Sequence, residues 1–164
     1  MKKKLTNDLK IACSGFTLSE LIIVIMLIGI FASIGMTRTR TGITTIRTQV
    51  AIDQITADID LLRSMAFAKH DTLTMVFSTV NDLYTIYTGP DNSRDIVTSF
   101  PNSTNGVVSF QSASFTDVDI TAASFGSQPE IQFLPLGDLK SGGTITISGY
   151  TITLQDLTGK WSVN

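Results

Sequence analysis

A chain of 164 residues, 43% of them apolar, holds enough material for one domain with its own core. Its net charge of −2 gives it no general affinity for nucleic acid or anionic lipid, and a single cysteine, Cys13, excludes any intramolecular disulfide. The charge is unevenly placed: four lysines against Asp8 precede Phe16, net +3, and eight Lys/Arg against thirteen Asp/Glu follow, net −5.

The first element is the basic start, Lys2, Lys3, Lys4 and Lys10, which marks the end of a chain that stays in the cytoplasm. It is followed by Ser14-Gly15 and then by an apolar run in which nothing ionises from Leu21 to Met36. An ordinary secretory signal places its small-residue cleavage site after the apolar stretch; here the small residues come first. A cut after Gly15 therefore removes the basic leader and leaves the apolar helix on the mature chain, with Phe16 as its first residue. Phe16 to Met36 is 21 residues, about 32 Å of helix and enough to cross a bilayer. A lipoprotein cysteine needs its apolar segment ahead of it, whereas Lys10 stands upstream of Cys13 and the apolar segment follows. Glu20 is the lone charge at the mouth of this run. A carboxylate facing hydrocarbon costs about 2.5 kcal/mol or more, so either it reaches back to the interface or it has a partner.

Gly15-Phe16-Thr17-Leu18-Ser19-Glu20, followed at once by the apolar run, resembles the class III signal of type IV pilins and type II secretion pseudopilins. The resemblance implies cleavage by a prepilin peptidase between Gly15 and Phe16 and N-methylation of Phe16, with Thr17 and Leu18 as part of the signal. It also implies that Glu20 neutralises an N-terminal amine when subunits pack into a filament. Coulomb attraction supports that role: an ion pair at 4 Å is worth about 4 kcal/mol at an effective dielectric near 20.

Beyond the apolar run, Gly35 to Thr45 is rich in threonine and holds two glycines, all weak helix formers, and reads as helix that can locally unwind. Many pilins carry a proline where Thr37 stands. Ile43, Ile46, Val50, Ile55, Ile59, Leu62 and Ala66 then recur mostly at three- and four-residue steps, with Arg47, Asp53, Asp58, Asp60 and Arg63 largely on other faces. That predicts an amphipathic continuation of the helix. After His70 the pattern changes to short alternating runs: "TLTMVFS" (72–78) and "LYTIYT" (83–88) as paired strands, a loop over 89–105, then "GVVSFQS", "EIQFLPLGDL", "GTITISG", "YTITLQD" and "KWSVN". The expected fold is α+β, a long helix whose second half lies on an antiparallel sheet.

"LLRSMAFAKHDTLTMVF" is similar to the helix end and first strand of GspH/FimT-type pilins, and "IQFLPLGDLKSGGTITISGYTITLQDLTGKWSV" to their C-terminal strands, ending in the Thr158-Gly159-Lys160 turn. Asp138 and Lys160 stand where that group more often has other residues, and residues 71–164 hold only Arg94, Lys140 and Lys160 as basic residues. A DNA-uptake pilin needs clustered Lys/Arg, so nucleic acid is not the expected partner.

The catalytic and ligand readings are poor. His70 beside Asp71 fits a cation at a helix C-terminus. "GDLKSGGT" (137–144) lacks the lysine after its second glycine that a phosphate loop requires, and reads as a strand turn. Asp117 and Asp119 are too few oxygens for calcium, and Trp161 is expected in the core. No enzyme, cofactor or metal site is expected. The domain organisation is a cleaved leader (1–15), a transmembrane and assembly helix (16–36), its amphipathic continuation (37–70) and a β-rich periplasmic domain (71–164). The reading is a minor pilin or pseudopilin anchored in the inner membrane, for a secretion pseudopilus or a type IV pilus. Its partners are a prepilin peptidase, other pilin subunits and the inner-membrane assembly platform. A DNA-binding competence pilin and a plain single-pass membrane-anchored binding domain stand as alternatives.

Overall fold

The first helix, α1 (Leu18–Lys69), carries two different surfaces along its length. The computed structural model describes residues 15–164, without the side chains of 35–41, and the chain divides into two units, 1–40 and 41–164. In the first unit every described side chain from Phe16 to Ile34 is exposed. Among the described residues no helix is long and apolar enough to cross a membrane; the expected span, 16–36, runs into residues whose side chains lie outside the described set. The leader, 1–14, lies outside it as well.

In the second unit α1 buries Ala51, Ile52, Ile55, Ile59, Leu62 and Ala66. The expected stripe is correct from Ile55 onward and wrong before it: Ile43, Ile46 and Val50 are exposed, Ile46 by 64%. Going from Val50 to Ile55 is a five-residue step, which turns the helix about 140° past a full circle, so the two groups lie on different faces. Asp58, expected on a polar face, is only 4% exposed. The Gly35–Thr45 segment is helical within α1. The helix ends as His70 takes φ 52° and the Asp71 N–H reaches the Ala66 carbonyl at 3.3 Å, the αL exit usually given to glycine.

The strands form two antiparallel sheets rather than the single one expected. The first contains β1 (Leu73–Ser78), β2 (Leu83–Thr88), β3 (Asp95–Ile96), β4 (Val107–Ser109) and, placed later in the chain, β6 (Glu130–Phe133). β1 is central, with Leu73 opposite Thr88 of β2 on one side and opposite Phe133 of β6 on the other. Both β3 and β4 pair with β2, within and just after the expected loop. The second sheet runs β5 (Ile120–Phe125), β7 (Gly143–Ile147), β8 (Tyr150–Leu154), β9 (Trp161–Val163). β5 is the strand the alternation rule misses, because Thr121-Ala122-Ala123-Ser124 has no apolar alternation. Inward residues of both sheets, among them Met75, Phe77, Ile86, Ile131, Ile145 and Ile152, join one core with the α1 stripe. Phe77 and Phe125 stack across the two sheets with centroids 6.5 Å apart.

The 89–105 segment is tied down by charge. Arg94 grips Glu130 through both guanidinium ends at 2.8 and 2.9 Å and also reaches Asp91, which in turn receives Gln132 and Lys140. The Arg94 hydrogen bonds are the leading reason that the carboxyls of both Asp91 and Glu130 sit below their ordinary range.

Candidate functional site

The residues that carry the functional expectation open α1. Thr17 stands just ahead of the helix, and the Leu21 N–H makes the first helical bond to its carbonyl at 3.2 Å. The first N–H groups of any helix lack partners within it. Thr17 and Glu20 meet that need reciprocally: the Glu20 N–H donates to Thr17 Oγ1 at 3.3 Å, while the Thr17 N–H donates to Glu20 Oε2 at 2.9 Å. The Thr17 hydroxyl adds a bond to the same Oε2 at 3.1 Å. This is a capping box. Its Thr-x-x-Glu spacing is legible in the sequence, and it supplies a local role for Glu20 that neither burial nor an intermolecular partner requires. A carboxylate is also favoured at the positive end of a helix dipole.

Around this box the described side chains are exposed. Phe16 is 86% exposed and Leu18 78%. A Cβ placed on Gly15 meets no atom within 4 Å, so the fold itself makes no demand for glycine there. The structure thus brings Thr17 and Glu20 together, with Phe16 and Leu18 exposed beside them.

The remaining candidates are placed as follows. His70 is exposed at the α1 exit, its ring 6.1 Å from that of Phe67. The 137–144 segment joins β6 to β7, as a strand connection. Among the described residues no three His, Cys, Asp or Glu side chains gather to hold a metal ion. Trp161 lies in β9 but not in the core: it is 36% exposed, and its indole N–H donates to Asp60 Oδ2 at 3.2 Å. With Arg63, Asp138 and Leu157 it lines an open hollow of about 740 Å³.

The solved structure of the minor pseudopilin EpsH from the Type 2 Secretion System of Vibrio cholerae matches over 71% of this chain and 94% of its own, with TM-score 0.54 and 10% identity, a likeness of fold. Residues 51–163 match the family model described as Type II transport protein GspH, and the chain belongs to that family. No curated protein sequence matches. The matched residues begin within the second half of α1, so the Gly15–Glu20 stretch lies outside them.

Proposed function

We propose that this chain is a structural minor pseudopilin of a type II secretion system. It is cut by a prepilin peptidase between Gly15 and Phe16, methylated on Phe16, and held in the inner membrane by residues 16–36. From there it is drawn, with other pseudopilins and the assembly platform, into a periplasmic pseudopilus. The observation that carries the reading is the presence in one chain of a GspH domain over 51–163 and of Gly15-Phe16-Thr17-Leu18-Ser19-Glu20 ahead of a run with no ionisable residue. The DNA-binding alternative has little support: of the three basic residues after position 70, Arg94 and Lys140 are already engaged in ion pairs.

In the free subunit Glu20 is satisfied by its own Thr17; in the filament it shares its charge with a neighbour's terminal amine. The two roles separate cleanly by mutation. Glutamine serves as well as glutamate at this position of a capping box, so Glu20→Gln keeps the helix start and removes only the charge. Both Glu20→Gln and Glu20→Ala are expected to be cleaved and inserted normally. Each is expected to crosslink to neighbouring subunits about a hundredfold less, through loss of the ion pair. Crosslinking of Glu20→Gln equal to wild type, at matched expression and with processing confirmed, would reduce Glu20 to a capping residue.

A further inference from the structure

The second sheet ends on β9, which pairs with β8 alone. Asn164 exchanges both backbone bonds with Thr151, at 3.0 and 2.9 Å, and the Lys160 carbonyl accepts from the Gln155 N–H at 2.9 Å. In an antiparallel ladder the bonded residues recur at every second position. Residues 160, 162 and 164 therefore turn their backbone polar groups toward β8, while Trp161 and Val163 turn theirs away from it. Those two N–H and two carbonyl groups have no partner among the described residues. The outer side of β6 is different: there the Lys140 N–H closes on the Gln132 carbonyl at 2.9 Å. Of the devices that blunt a sheet edge, β9 has only its shortness; Trp161-Ser162-Val163 carries neither charge nor proline.

Donors and acceptors repeated two residues apart fit an extended backbone, which offers the complementary groups at the same spacing. The side chains narrow the fit. Directly opposite residues share a face, so Trp161 and Val163 lie on the side of Leu154 and Ile152, which are both buried. An added strand is best served by an apolar residue opposite each of the two. Leu157, 73% exposed in the hollow beside Trp161, extends the apolar cover past the start of β9. Lys160 stands one residue ahead of β9 and, unlike Arg94 and Lys140, holds no ion pair among the described residues. An acidic residue of the added strand would face it. A second copy of the edge fits less well, because residues 160–164 contain no acid to offer Lys160.

We propose that β9 is a docking edge for an extended segment of another polypeptide, running antiparallel to it, apolar at alternate residues and acidic opposite Lys160. The backbone of Trp161 and Val163 supplies four hydrogen bonds, so docking is weak and reversible. The proposal rests neither on cleavage after Gly15 nor on entry into a filament.

The test uses the full chain in detergent micelles and a synthetic peptide of residues 150–156, the β8 sequence that already pairs with β9 from the inner side. A second peptide carries Gln155→Glu, at the position that meets Lys160. Trp161 is the sole tryptophan, so its fluorescence reports on the edge directly. Both peptides should shift it, the Gln155→Glu peptide binding about threefold more tightly through the cross-strand ion pair. No shift from either peptide at its solubility limit overturns the docking edge, and equal affinities overturn the acidic preference. Amide hydrogen exchange on wild type needs no variant to fold. The Trp161 and Val163 amides should exchange fast in the free chain and slow down with peptide; protection in the free chain would show the edge already closed. Val163→Pro removes an outward N–H and no bond to β8, a placement that edge strands tolerate. It should melt with wild type and bind peptide about tenfold more weakly; unchanged binding contradicts backbone pairing. Concentration-dependent dimers without peptide, lost in Val163→Pro, would make the occupant a second copy and overturn the proposal.

Discussion

Isoleucine and leucine line both halves of α1, yet they meet opposite surroundings. From Leu21 to Ile34 the side chains stand exposed, among them Ile25 at 58% and Phe31 at 71%. From Ala51 to Ala66 the aliphatic face is sealed against two sheets. Burying one such side chain is worth about 1.5–3 kcal/mol, so the first half carries a large unmet demand for apolar cover. Only the second half is matched to the chain's own core. The difference teaches that along one helix the phase of the apolar residues matters where a core is waiting, and bare hydrophobicity alone does not bring cover.

The largest effect that separates the halves comes from the same substitution made in each. Ile59→Ala should cost the globular unit about 3 kcal/mol, the range for deleting buried methyl groups from a tight core. Ile25→Ala or Ile46→Ala should leave its stability within about 0.5 kcal/mol, as for surface positions. Thermal or denaturant melts of the three variants check this. Comparable losses would mean that the exposed half packs on the domain after all.

A smaller effect probes the sheet side of the second unit. Arg94→Ala strands the mostly buried Glu130 and frees the 89–105 segment, at about 2 kcal/mol after discounting for partial exposure. The lowered carboxyls of Glu130 and Asp91 contribute stability above their unfolded values and lose it as pH falls. Wild type should therefore lose more stability than Arg94→Ala on acidification. Parallel melting curves from pH 7 to pH 3 would remove the network from the account. The smallest effect sharpens the comparison by subtraction: a fragment beginning at Ile43 should fold alone, with circular dichroism of mixed helix and strand and a cooperative melt. A helix-only spectrum would contradict the division between the halves.

Several of these features were legible in the residues. Strict alternation placed β2 at Leu83–Thr88 to the residue, and three- and four-residue steps located the buried face from Ile55 to Ala66. The stripe failed ahead of Ile55 because its one five-residue step, from Val50 to Ile55, turns the earlier residues onto another face, a break that counting apolar positions passes over. β5 was hidden because small residues carry no alternation, and with it the existence of a second sheet. The Thr17–Glu20 capping box, which the sequence reading did not single out, has a local signal in its Thr-x-x-Glu spacing, whereas the burial of Asp58 depends on Tyr84, 26 positions away, and no local rule brings the two together. Trp161 reads as core by size but finds Asp60 at the surface instead. Local and periodic signals survive in a single sequence; pairings across the fold do not.

The account stands most directly on the exposed half of α1 being the new N-terminus of a processed subunit. Intact-mass measurement of the protein extracted from membranes tests it in one step. Loss of the first fifteen residues together with the gain of one methyl group, giving a chain that starts at Phe16, is the predicted result. A mass that still includes Lys2 through Gly15 would contradict the account.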